Sequence, residues 1–184
     1  IYHRDSLGSS QAIAPGELNW MTAGKGIVHS ERTPEPEVSR TRKVFGIQSW
    51  VALPKKHEEM APGFEHVAPS AMPLISDHGR EVRVIAGQMF GATSPVKTHS
   101  DLFYGDVKLA AGASLPMPAE HEERAIYVAD GSLEIAGQVF EGGRLLVFRP
   151  RDAITGTART DARFMRLGGR HRDAQRPTWG NLVS

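Results

Sequence analysis

His29 and Glu31 stand two residues apart at the end of the stretch Gly24-Lys25-Gly26-Ile27-Val28-His29-Ser30-Glu31. An imidazole nitrogen and a carboxylate oxygen are donors that suit iron, zinc or manganese. A carboxylate beside such an ion is also a base, able to take a proton from a hydroxyl group. To reach one ion together the two side chains must share a face. A spacing of two does this on a β-strand, where residues i and i+2 point the same way. The strand would then supply half of a divalent-metal site, the other half of which is not expected among the 28 residues before His29. Spacing alone also leaves open a plain polar pair at the mouth of a barrel.

The elements that would position these residues are short strands. Gly24 and Gly26, just ahead of the pair, permit a turn that side chains would block. Downstream, strands are expected over Lys43–Leu53, Glu81–Ala86, Leu102–Ala110, Arg124–Ala129, Ser132–Ala136, Arg144–Phe148 and Arg163–Leu167, each bounded by turn residues. Residues 54–76 carry repeated prolines and charges and read as a connector. The 19 Gly and 12 Pro are spread throughout, and no segment sustains a helical period with caps at both ends. Many short strands at this spacing predict an all-β sandwich or barrel. Ile1–Gly8 reads as the second half of a hairpin with no partner ahead of it, so the sequence is expected to be a fragment. Pro15-Gly16-Glu17-Leu18 and Glu141-Gly142-Gly143-Arg144-Leu145 echo each other, each turning the chain into a strand that heads for the interior. That echo points to a duplicated barrel.

Composition excludes several classes. The 184 residues include no cysteine, which removes disulfides, zinc ribbons, iron–sulfur clusters and thiol nucleophiles. A net charge of +1 gives no electrostatic footprint for nucleic acid or an anionic membrane. No apolar run approaches the roughly 18 residues of a membrane-spanning helix. With neither cysteine nor a signal-like start, the expected compartment is the cytoplasm.

Three blocks resemble the pirin family: His3-Arg4-Asp5-Ser6-Leu7-Gly8, Ile13-Ala14-Pro15-Gly16 and Trp20-Met21-Thr22-Ala23-Gly24-Lys25-Gly26-Ile27-Val28-His29-Ser30-Glu31. The resemblance continues through Gln48-Ser49-Trp50-Val51-Ala52-Leu53-Pro54 and ends at Arg176, Trp179, Asn181 and Val183-Ser184, with Pro177 and Gly180 departing from the family pattern. It implies two consecutive cupin-type β-barrels, each a double-stranded β-helix, the first incomplete. The expected division is residues 1–56 for the remainder of the first barrel, 57–79 for a connector and 80–168 for the second barrel. Residues 169–184 would then return to the first.

The resemblance also implies a metal held by three His and one Glu. Of these, only His29 and Glu31 carry over; the other two would form a His-x-His pair upstream of Ile1. The implied cofactor is Fe(II) or another divalent transition metal, held weakly or not at all by two ligands alone. Some pirins resemble quercetin 2,3-dioxygenases, which cleave a flavonol with dioxygen and release carbon monoxide. On that basis Glu31 would be both ligand and catalytic base, His29 a ligand, and the partner a flavonol-like small molecule. A regulatory protein whose metal state tunes binding to a protein partner is the alternative reading. A barrel that has lost its metal is a third.

Other residues have plainer readings. Trp20 and Met21 are expected in the core. The His3-Arg4-Asp5 run is expected to tie down a turn, with a role beside the site as the minority reading. His57, His66, His78, His99 and His171 are expected as surface histidines. In the second barrel, aligning the cupin ligand pattern on Gly112 and Gly131 puts Pro118 and Glu120 at the His positions and Arg124 at the Glu position. His121 falls one residue off register, and Glu120, Glu122 and Glu123 read as solvated charges. Neither proline nor arginine ligates a cation, so this barrel is expected to be structural and metal-free.

Overall fold

A computed structural model describes residues 1–39, 41, 45–170, 178–179 and 182–183. The chain is all-β and divides into two compact units, Ile1–Pro69 with Asp173–Ser184, and Ser70–Arg172.

In the first unit the strands are β1 (Tyr2–Asp5), β2 (Ser10–Ala12), β3 (Leu18–Thr22), β4 (His29–Arg32) and β5 (Gly63–Val67), with one helical turn, α1 (Glu35–Val38), after β4. They form two antiparallel sheets, ordered β2-β1-β4 and β3-β5. A hairpin joins β1 to β2, and β4 pairs along the other edge of β1. The strand expected to lack a partner is therefore flanked on both sides. Gly24, in the turn between β3 and β4, has φ +52°, and a Cβ there would collide with the Met60 carbonyl, which accepts the Lys25 amide at 2.9 Å. Glycine at this position lets the β3–β4 turn close against the chain leading into β5.

The second unit contains β6 (Leu74–Asp77), β7 (Arg80–Met89), β8 (Ala92–Thr93), β9 (Leu102–Leu109), β10 (Ser114–Met117), β11 (Glu123–Asp130), β12 (Ser132–Ile135), β13 (Gln138–Glu141), β14 (Arg144–Phe148), β15 (Ile154–Ala158) and β16 (Ala162–Gly169). Two further pairs of residues, β17 (Thr178–Trp179) and β18 (Leu182–Val183), form a small ladder that belongs to the first unit. A larger antiparallel sheet runs β14-β11-β16-β9-β7-β6, with β8 on β7, and a smaller one runs β10-β15-β12-β13. Period-two alternation builds the core between them. In β9, Phe103, Gly105, Val107 and Leu109 are buried while Tyr104, Asp106 and Lys108 are not. Val84, Val107, Ile126, Val128, Leu133 and Phe164 are fully enclosed, each side chain contributing about 1.5–3 kcal/mol of transfer free energy.

Four expectations change. Lys43 and Val44 lie outside the described residues, and the described remainder, Phe45–Leu53, forms no strand. Among the described residues no strand pairs with this stretch, and alternation without a partner strand does not make a stable strand. Residues 57–79 are not a bare connector, because they carry β5 and β6, which pair with β3 and β7. Strands β10, β13 and β15 were not expected; Pro116 disguises β10, which tolerates it as the edge of its sheet. Both echoed turns do lead into strands, β3 and β14, but Leu145 and Val147 of β14 face outward.

Candidate metal centre

Strand β4 carries both sequence-selected residues, and β1 sits beside it in a register that pairs His3 with Glu31 and Asp5 with His29. Directly opposed residues on adjacent strands lie on one face. His3, Asp5, His29 and Glu31 therefore share a single face of the β1–β4 ladder. The sequence reading brought two of these four together; the structure adds the other two.

Asp5 is the anchor. Its Oδ1 accepts the amides of Leu7 at 2.9 Å and Ser9 at 3.0 Å, which closes the β1–β2 turn. Its Oδ2 lies 3.0 Å from His3 Nε2. Burial pushes this carboxyl up, but the hydrogen bonds from His3, Ser9 and Leu7 outweigh it and hold the pKa down at about 2. Asp5 is thus ionised at neutral pH and can only accept, so His3 Nε2 carries the proton between them. His3 Nδ1 then faces Glu31 Oε1 at 3.9 Å. The imidazole of His3 is 1% exposed. It stacks on Phe64 of β5 at 4.2 Å between ring centroids and on His29 at 5.7 Å.

The expected turn-tying role of the His3-Arg4-Asp5 run is thus correct for Asp5, and His3 lies beside the site as well. A signal for this was present in the sequence. His3-x-Asp5 repeats the spacing of His29-x-Glu31, and two such pairs on neighbouring strands place four polar groups together. Gln48 was quoted only as part of a motif, yet its Nε2 reaches Glu31 Oε2 at 3.4 Å.

His29 and Glu31 remain open as donors. Both are exposed, and among the described residues Glu31 accepts only the long bond from Gln48 and faces His3 beyond hydrogen-bond range. Their chemistry fits a divalent transition metal as two ligands of a larger set. Among the described residues, no three His, Cys, Asp or Glu come close enough to hold an ion.

The remaining candidates lie elsewhere. Trp20 and Met21 are half-buried on β3, opposite Glu65 and Phe64. His66 is no bare surface histidine: its Nδ1 lies 2.8 Å from Asn19 Oδ1, and its Nε2 lies 3.7 Å from Glu17. His78 is exposed in a tight turn, and His171 lies outside the described residues, as do Arg176, Pro177, Gly180, Asn181 and Ser184. Glu120, Glu122 and Glu123 are exposed, as expected for solvated charges. A cleft of about 540 Å³ beside Arg80, Leu109, Asp130 and Asp161 contains none of the sequence-selected residues.

The sequence motifs and these two β units agree with what comparison finds. The Pirin family profile matches residues 1–51, and the profile for the Pirin C-terminal cupin domain matches residues 104–184. A pirin-like protein of Caulobacter vibrioides is 42% identical over 92% of this chain and 59% of its own length. The chain therefore spans well under two thirds of that relative. A crystal structure of quercetin 2,3-dioxygenase from Acinetobacter baumannii superposes with a TM-score of 0.84 at 29% identity, over 100% of this chain and 60% of that one. The bacterial pirin YhhW of Escherichia coli, solved in complex with nickel(II), shares the fold with a TM-score of 0.66 at 20% identity, over 91% of this chain and 66% of that one. With one profile over the strands that hold His29 and Glu31 and the other over most of the second unit, the chain belongs to the pirin family of cupin proteins.

Proposed function

We propose that this chain contributes half of the metal centre of a quercetin 2,3-dioxygenase-type enzyme, with His29 and Glu31 as ligands of Fe(II) or another divalent transition metal. The observation that carries this is the placement of both donors, open and exposed, on one face beside the buried His3–Asp5 pair. The dioxygenase naming of the Acinetobacter structure and the nickel bound by YhhW support the same reading. When bound, the metal would supply Lewis-acid and oxygen-binding chemistry toward a flavonol. The chain's own residues have separate tasks. Glu31 takes the proton of the enolic hydroxyl. Gln48, donating to Oε2, leaves Oε1 as the oxygen turned toward that proton. His3, held by Asp5 and flattened on Phe64, keeps the inner wall rigid and excludes water behind Glu31. A cytoplasmic setting suits the cysteine-free composition.

Two ligands hold a transition metal weakly compared with a full set. Calorimetric titration with Ni(II) or Fe(II) should show weak binding that His29→Ala and Glu31→Gln abolish. Flavonol consumption, followed by absorbance and by carbon monoxide release, should fall with metal content. Undiminished flavonol cleavage by Glu31→Gln would refute the role given to that residue. A regulatory reading, in which the metal tunes binding to a protein partner, is favoured by one feature. Val28, Ile47, Trp50 and Val51 expose apolar side chains close in sequence to the two ligands. Metal loading that leaves flavonols intact but changes capture of a protein partner would select it.

A further inference from the structure

Arg166 lies on β16 with its side chain on the inward face, in line with the fully buried Phe164, and is only 7% exposed. Its guanidinium carbon sits over the rings of Phe90 and Phe103, at 5.1 and 5.0 Å from their centroids. Among the described residues the guanidinium has neither a hydrogen bond nor an ion pair. A cation this deeply buried is ordinarily paired with an anion or with hydrogen-bond acceptors.

Its surroundings deepen the imbalance. Arg124, 3% exposed, points inward from the neighbouring strand β11, where it pairs with Gly168 two residues along from Arg166. Both terminal nitrogens of Arg124 are engaged as a brace. Its Nη1 donates to the carbonyls of Met117, Pro118 and Asp152 at 3.2, 3.3 and 2.8 Å, and its Nη2 to Arg149 at 2.9 Å. Carbonyl dipoles satisfy those N–H groups but leave the positive charge in place. Glu120 acts on Arg166 through space from an exposed position. Burial pushes the Arg166 guanidinium down to about 10, Glu120 opposes this, and Arg124 adds to it. His121 completes the local wall, half-buried and tilted against Phe103 at 4.7 Å.

We propose that this end of the second unit is an anion site, in which Arg166 takes the carboxylate of a small organic acid. With two aromatic rings against the guanidinium, its N–H edge is what remains to offer, and that edge matches a planar carboxylate in bidentate fashion. Phe90, Phe103 and His121 supply an aromatic surround that suits an organic acid better than a hydrated inorganic ion. Arg124 contributes potential rather than contact. This site is separate from His29 and Glu31 and stands without them.

Calorimetric titration of the whole chain with benzoate, acetate and phosphate tests it. Wild-type protein should bind benzoate saturably and more tightly than phosphate. Arg166→Gln should weaken benzoate roughly ten- to a hundredfold, the range for losing hydrogen bonds to a charged group. Glu120→Gln should tighten it by removing a competing anion. Arg166→Lys keeps the charge and loses the planar fork, so it covers the case in which the Gln variant fails to fold. It should weaken benzoate binding while leaving benzoate ahead of phosphate, because the aromatic surround is kept. The proposal is overturned by any of four results: no saturable carboxylate binding in the wild type, equal binding in Arg166→Gln, benzoate affinity unchanged in Arg166→Lys, or binding that appears only in Glu120→Gln. That last result would make Glu120 the counter-ion of Arg166.

Discussion

Replacing Arg124 with methionine tests how the second unit closes one end. The side chain is 3% exposed and braces four main-chain carbonyls, drawn from β10 and the following residue and from the turn after β14. The two short bonds, at 2.8 and 2.9 Å, should each contribute about 1.5 kcal/mol as bonds from a charged donor. The bonds at 3.2 and 3.3 Å are long and worth about 0.5 kcal/mol apiece. Against this, methionine relieves a buried charge and the buried Arg124 Nε, which has no partner, together returning about 1–2 kcal/mol. The net loss should be about 2–3 kcal/mol, or roughly 5–10 °C in melting temperature for a chain of this size. Urea unfolding followed by tryptophan fluorescence and circular dichroism measures it. Arg124→Lys should fall between the two, because it keeps the charge and loses the fork. A change below about 0.5 kcal/mol in Arg124→Met, the range of an inconsequential surface substitution, would refute the bracing argument.

Gly24→Ala and Gly26→Ala separate two kinds of glycine. At Gly24 a Cβ meets the Met60 carbonyl, whereas at Gly26 it enters open space at φ +129°. Gly26→Ala should therefore cost about 1–3 kcal/mol from backbone strain alone, and Gly24→Ala more, as read by thermal denaturation. Asp5 has its carboxyl held at about 2 in the folded chain, below its ordinary 3.8. Its contribution to stability is therefore complete above about pH 4 and is lost as pH falls toward 2. Asp5→Asn should flatten the acid limb of the melting-temperature profile in that window. The outward pair of Arg163 with Asp106 is bidentate, at 2.9 and 2.7 Å, but partly exposed. Asp106→Ala should thus cost under about 1 kcal/mol in urea unfolding.

The second unit was largely legible because its strands obey one rule. In β7, β9 and β11, buried and outward residues alternate over most of their length, so a period of two announces both the strand and its inner face. Short edge strands hide that signal. Pro116 interrupts β10, Gly156 sits inside β15, and β13 leaves Val139 in solvent. The stretch 45–53 carries the pattern, yet no strand among the described residues pairs with it, and pattern alone could not tell the difference. In the metal centre, the i, i+2 spacing located His29 and Glu31. His3 and Asp5 required knowing that β1 lies beside β4 in that register, which is a tertiary fact. Gln48 reaches Glu31 from a segment with no regular structure, where no periodicity could have pointed to it.

Strand β14 has a consequence for handling the protein. It ends its sheet, so among the described residues one side of its backbone lacks a neighbouring strand, while Leu145 and Val147 present 60% and 75% of their surfaces to water. Such an edge is a template for a second extended chain. Arg144 opens the strand and Arg149 follows it, both exposed. Their like charges resist the stacking of one copy upon another. That protection is electrostatic, so high salt, which shortens the reach of those charges, favours self-association along this edge, and dilute buffer keeps the copies apart.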